Sequence, residues 1–265
     1  PPFCEHSHRI VYSQIESVSD INLIEHPSVR EVLKFVDFNK GLEIHHDGDL
    51  PARSGLGSSS SFTVGILNAM NAMKGIYISP HQLATEAIHI EQNLIKECVG
   101  SQDQISAAYG GFNEIEFNKD GSFLVEPLVA KKERLEDLNN HLMLFFTGVS
   151  RYSSEILTSQ LSNLSNCQSQ MHELRDMVDE GASILRNKNN SLDDFGKLLD
   201  KAWKNKRSLS KLITNNKIDE LYSNAIKAGA LGGKILGAGG GGFILFFVKP
   251  ENQINVAKTM KKLTY

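Results

Sequence analysis

Residues 49–61 read Asp-Leu-Pro-Ala-Arg-Ser-Gly-Leu-Gly-Ser-Ser-Ser-Ser. Upstream, Leu42-x-Ile44-x-His46 alternates like a strand; downstream, Phe62, Ile66, Met70 and Met73 recur at helical spacing and predict a helix over 60–74. A helix start offers unpaired N–H groups and the positive end of a dipole. Glycines let backbone approach an anion closely, and serines add hydroxyl donors, so Gly55–Ser61 reads as a phosphate cradle. The plainer reading is a serine-capped helix after a tight turn, but four serines exceed what one cap needs. No lysine follows the glycines, which excludes a Walker P-loop.

A second glycine loop, Gly237-Ala-Gly-Gly-Gly-Gly242, formally matches GxGxxG. A dinucleotide fingerprint needs a strand before the glycines and a helix after them. Here a helix is expected before and the apolar strand Phe243–Val248 after, which rejects that reading. A linker would not run straight into a buried strand, so a shaped loop is expected.

Between the loops, Ser79-Pro-His-Gln82 predicts a capped helix start. Glu91 lies on that helix's apolar stripe, four residues after Ala87 and four before Ile95. A carboxylate there is costly unless paired or bound to a cation; a structural ion pair or an outward-reaching side chain are the alternatives. A third helix is expected from Ser101, with Gln104 completing its capping box, to Gly110-Gly111. Asp103 sits in its first turn, where acids are ordinary. Phe112–Phe117 and Phe123–Leu128 predict a hairpin about Asp120-Gly121, and Leu142–Phe146 another strand. Residues 153–228 are polar helix formers carrying an apolar stripe. Strand runs and helix runs are segregated, which predicts an α+β fold, with a boundary near residue 140 separating domains 1–140 and 141–265.

The chain has 265 residues and a net charge of −3, giving no general attraction to nucleic acid or an anionic membrane. Any anion site must be local. Cys4, Cys98 and Cys167 fit no zinc pattern and read as reduced thiols. No apolar run approaches the roughly 18 residues of a membrane span, and no signal peptide is visible.

Together, Asp49–Ser60, Leu236-Gly-Ala-Gly-Gly-Gly-Gly-Phe243, and Gly100-Ser-Gln-Asp103-Gln twelve residues after Glu91 resemble the second motif, the third motif and the acid-pair segment of the GHMP kinases. Residues 54–65, 102–113 and 146–151 are most similar to the heptose 7-phosphate kinase branch, with fucose-kinase-like enzymes next. The resemblance implies a ribosomal protein S5 domain 2-like N-terminal domain and a ferredoxin-like C-terminal domain. The family's first motif, Gly-Gly-Gly-Thr-Asp in character in this branch, does not occur, and residues 1–40 resemble the segment C-terminal to that motif. N-terminal strands are therefore expected to be missing.

The resemblance further implies ATP and Mg²⁺ as cofactors. Ser54, Gly55, Leu56, Gly57, Ser58, Ser59, Ser60, Gly237, Gly239 and Gly240 would hold the nucleotide phosphates. Ser59 and Glu91 would hold Mg²⁺, and Asp103 would accept or orient the proton of the attacking hydroxyl. Arg151 and Gly111 would face the substrate, although Arg151 also reads as a surface arginine. The implied partner is a small sugar phosphate; the protein would be a cytoplasmic monomer or homodimer. The alternatives are a fucose-type kinase, and an inactive GHMP-fold binding or regulatory protein.

Overall fold

The computed structural model describes residues 8–38, 40–50, 54–149 and 153–261. The chain divides into two compact units: residues 1–52 with 57–111, and residues 53–56 with 112–265.

The first unit holds a three-stranded sheet of β1 (His8–Val11), β2 (Ile15–Val18) and β3 (Leu42–His45), in the order β2-β1-β3. β1 runs antiparallel to β2 and parallel to β3. A parallel neighbour requires a crossover, and α1 (Pro27–Phe35) lies within it. Val29, Val32 and Leu33 line one face of α1 and are fully buried against Leu67 and Met70 of α2 (Ser58–Met73) and Ala87 of α3 (Pro80–His89). Ser79 caps α3, accepting the Gln82 N–H at 3.2 Å.

Two local expectations fail instructively. The α3 helix does not continue regularly through Glu91: Ile90–Leu94 is a π-helical turn in which the Ile95 N–H reaches the Ile90 carbonyl at 2.8 Å. And α4 (Gln102–Tyr109) has no side-chain cap at Ser101. Gln104 is fully buried and turns instead to Glu91, because a buried carboxylate demands donors more strongly than an exposed helix end does.

The second unit contains the predicted hairpin, β4 (Asn113–Phe117) with β5 (Phe123–Pro127). Then follow α5 (Lys132–Asn140), β6 (Leu142–Phe146), α6 (Ser153–Asn163), α7 (Gln168–Arg186), α8 (Leu192–Ser208), α9 (Asn216–Lys227), β7 (Ala230–Ile235), β8 (Phe243–Val248) and α10 (Pro250–Met260). The expected boundary near 140 falls within this unit, between α5 and β6. Its antiparallel sheet has the order β6-β8-β7. As the central strand β8 is buried on both faces. Phe246 packs with Trp203 and Ile218, whereas Phe247 packs with Leu138 and Leu185. Among the described residues no helix is long and apolar enough to cross a membrane.

The stretch Gly232–Gly242 is not one loop, as its composition suggests. Residues 230–235 form β7, and its glycines serve close packing. A Cβ on Gly232 would lie 2.0 Å from the Gly196 carbonyl oxygen of α8. Gly232→Ala should therefore destabilise the protein by about 1–3 kcal/mol, the range for overpacking a tight contact. Urea denaturation reads this directly, and an unmoved midpoint would mean α8 can withdraw freely.

Candidate active site

The first glycine loop enters α2 through Gly57, whose φ of 71° and ψ of 21° are left-handed and suit glycine. No side chain caps α2. The Ser61 N–H returns to the Gly57 carbonyl at 2.9 Å, so the N–H groups of Ser58, Ser59 and Ser60 have no helical acceptor. An anion could take them. Ser59 is exposed and Ser60 is buried.

Behind this turn stands Glu91, only 1% exposed. Its Oε2 accepts the Ser60 hydroxyl at 2.9 Å and a short bond from the Gln104 amide. Its Oε1 is buried with no hydrogen-bond partner. The donors that reach the carboxylate are thus a hydroxyl and an amide, both neutral. Gln92, beside it on the π turn, donates to the Val99 carbonyl at 3.0 Å and to the Ser101 hydroxyl at 3.2 Å, tying the turn to the start of α4. Burial and the charge of Glu91 push the Glu97 carboxyl up.

Asp103 borders the same turn. A Cβ placed on Gly57 would sit 3.0 Å from the Asp103 Cγ and 3.2 Å from its Oδ2. The helix-dipole argument alone expects a depressed pKa for this first-turn acid. Burial instead pushes it up. The residue stays open to solvent, so its ionisation bears little on stability.

Gly57→Ala tests this packing. The new methyl meets Asp103 and occupies a left-handed backbone position, which disfavours L-residues by roughly 1–2 kcal/mol. If the loop cradles nucleotide phosphates, as the resemblance implies, ATP affinity and turnover should both fall severely while the circular dichroism spectrum persists; unchanged ATP binding in calorimetry would refute that expectation.

In the second unit, residues 54–56 of the first loop are knitted to the second loop. The Ser54 carbonyl accepts the Phe243 N–H at 3.1 Å. A Cβ on Gly55 would lie 2.7 Å from the Leu236 carbonyl oxygen, and one on Gly242 2.2 Å from that of Ser54. The second loop is further held by Gly240 N–H to the Ile213 carbonyl at 2.8 Å, and by Gly242 N–H to the Val149 carbonyl at 2.6 Å. Asn215 Nδ2 donates to the Gly240 carbonyl at 3.2 Å. It is a shaped loop between two strands, β7 and β8, where the sequence suggested a helix before it. The order is still not strand, glycine loop, helix, so the dinucleotide reading stays excluded.

The structure thus brings Gly57, Ser58–Ser60, Glu91 and Asp103 together in the first unit. It brings Ser54 and Gly55 against Leu236, Gly237 and Gly242 in the second, while Gly239 and Gly240 pack on Ile213 and Asn215. Gly111 follows α4 with a φ of 74°, and Arg151 lies outside the described residues. Sequence reasoning missed Gln104 and the Ser60 contact to Glu91. The Ser101-x-x-Gln104 spacing imitates a capping box, and only a helix-wheel comparison with Glu91 could have hinted otherwise.

Among the described residues no three His, Cys, Asp or Glu side chains cluster. The expected ion, Mg²⁺, keeps several waters and takes few protein ligands. The unpartnered Oε1 of Glu91 fits such an ion, with Ser60 and Gln104 orienting the carboxylate from behind.

Comparison with known proteins agrees with this architecture. The profile of the GHMP kinases N terminal domain matches residues 22–111, and that of the GHMP kinases C terminal matches residues 182–264. The D-glycero-alpha-D-manno-heptose 7-phosphate kinase of Campylobacter jejuni is 32% identical over 85% of this chain and 68% of its own length. The L-fucokinase/L-fucose-1-P guanylyltransferase of Bacteroides fragilis is 28% identical over 89% of this chain, which spans only 25% of that protein. A crystal structure of a D-glycero-D-manno-heptose 1-phosphate kinase from Bacteroides thetaiotaomicron superposes with a TM-score of 0.76 at 24% identity, covering 96% of this chain and 76% of the other. With family profiles over both halves and a relative matched over most of the chain, this chain belongs to the GHMP kinase family.

Proposed function

We propose that the protein transfers the γ-phosphate of ATP to the anomeric hydroxyl of a sugar phosphate, D-glycero-D-manno-heptose 7-phosphate, giving the 1,7-bisphosphate for nucleotide-activated heptose synthesis. Family membership makes it an ATP-dependent kinase. The heptose acceptor rests on the 32% identical relative. The observation that carries the chemistry is the buried, unpartnered Oε1 of Glu91 beside the same helix start that Asp103 borders.

In this reading the free N–H groups of Ser58–Ser60 receive the nucleotide phosphates. Mg²⁺ would be held by Glu91 with the Ser59 hydroxyl, and when bound it neutralises charge on the phosphate oxygens. Ser60 and Gln104 fix the Glu91 carboxylate. Asp103 takes the proton of the attacking hydroxyl, late, as charge builds on that oxygen. Its raised pKa makes it a better acceptor than an ordinary first-turn aspartate. The protein would work in the cytoplasm, where ATP and Mg²⁺ are at hand.

Phosphorus NMR of the chain with ATP, Mg²⁺ and a panel of sugars and sugar phosphates tests this. A new anomeric phosphate signal with the heptose 7-phosphate is expected. Transfer to free fucose alone would move the acceptor to the fucokinase branch; transfer to none would favour a binding protein.

A further inference from the structure

The second unit carries two lysines that nothing in the mechanism above uses. Lys206 lies in the last turn of α8 and Lys234 on β7. The Lys206 ammonium donates a short bond to the carbonyl of Gly237, the first residue of the second glycine loop. On β7, Gly232 faces α8, since a Cβ there meets Gly196 and Asp200 of that helix. Lys234, two residues on, shares that face. Burial first, and the charge of Lys234 second, push Lys206 down to about 7. Burial lowers Lys234 as well.

The charges around them are already spent. Asp200 binds Lys204 at 2.7 Å and the Tyr222 hydroxyl at 2.5 Å. Asp219 binds Arg207 at 2.8 Å and the Thr214 hydroxyl at 2.6 Å. Among the described residues neither Lys206 nor Lys234 meets a carboxylate. Two half-buried cations with no counter-ion are unfavourable in the absence of an anion. A dianion between them would satisfy both.

We infer that Lys206 and Lys234 form an oxyanion site beside Gly237 that takes a phosphate monoester, the acceptor's own phosphate group. The last clause rests on the sugar-phosphate reading; the oxyanion site does not. The same chemistry could come from a terminal phosphate of the nucleotide, and the experiment separates the two sources.

The test titrates the full chain with inorganic phosphate and, separately, with ATP, in the wild type and in Lys206→Met and Lys234→Met. Phosphate affinity should fall roughly 10- to 100-fold in each variant, as for one charge-assisted hydrogen bond. ATP affinity should stay within about twofold in Lys234→Met, the variant that separates the two sources, because Lys206→Met also frees the Gly237 carbonyl of the second glycine loop. KM for the phosphorylated acceptor should rise with kcat little changed, while any turnover of the unphosphorylated sugar stays as it was. Equal losses of phosphate and ATP would hand the pair to the nucleotide and overturn the acceptor assignment. Variants that bind phosphate like wild type would overturn the site. If the wild type prefers an unphosphorylated sugar, the acceptor reading fails while the phosphate titration still judges the lysines. Acetylation of wild-type protein needs no variant: both lysines should be labelled early, and phosphate should protect them. Labelling unaffected by saturating phosphate would also refute the site.

Discussion

Asp103→Asn should lower kcat by on the order of 10²–10⁴, the range for a positioned general base, with ATP affinity nearly unchanged. Asparagine preserves the size of the side chain against Gly57, where a single added methyl would lie 3.0 Å from the Asp103 Cγ. It removes the charge and the capacity to accept a proton. Because burial raises the folded-state pKa of this acid, the folded state favours the protonated form relative to the unfolded chain. That contribution to stability is complete below the unfolded pKa and is lost as pH rises through the folded one. At neutral pH the carboxylate is therefore slightly unfavourable, and the asparagine variant should be as stable as wild type or a little more so. The acid limb of wild-type kcat/KM should lie above the pH of an ordinary aspartate and vanish in the variant. A variant that keeps most of its turnover would leave Asp103 an ordinary first-turn acid.

Glu91→Gln should abolish most metal-dependent turnover without unfolding the protein. Losing an outer-shell partner of a metal typically costs 10–100-fold in affinity, so losing the ligand itself should cost at least roughly 100-fold. Gln104→Ala should land within the outer-shell range. The carboxylate is 1% exposed and receives only neutral donors, so removing its charge relieves desolvation rather than breaking a pair. Thermal stability should hold or rise. One of the two causes that raise the Glu97 pKa also disappears, so Glu97 should move back toward the ordinary range. Calorimetric Mn²⁺ binding in the presence of ADP, beside a thermal melt, reads both effects. Loss of stability with unchanged Mn²⁺ binding would make Glu91 a purely structural carboxylate.

The elements that carry the site were legible where local physics suffices. Periodicity marked α2, the apolar run Phe243–Val248 marked β8, the Ser79 cap marked α3, and Asp120-Gly121 marked the hairpin, because each depends on neighbours a few residues away. The π turn at Glu91 was not legible: the residues that stabilise it lie beyond it in the chain, at Gln92's contacts with Val99 and Ser101. Strand β7 was hidden because a helix was expected before the second glycine loop, while the glycines of β7 serve to admit α8 to within contact of the strand.

By itself, the sequence determined the α+β class and the two glycine loops, which follow from composition and spacing along one segment at a time; the roles given to Glu91 and Asp103 were only what the family resemblance implied. Only the tertiary structure decided which groups meet. Gln104 serves Glu91 rather than its own helix end, Ser60 rather than Ser59 donates to that carboxylate, and Ser54 is bonded to Phe243 at the end of the second glycine loop, nearly two hundred residues away in the chain. The reason is that a buried charge takes its partners from whatever packing brings within about 3 Å, and a spacing pattern along the chain carries no record of that choice.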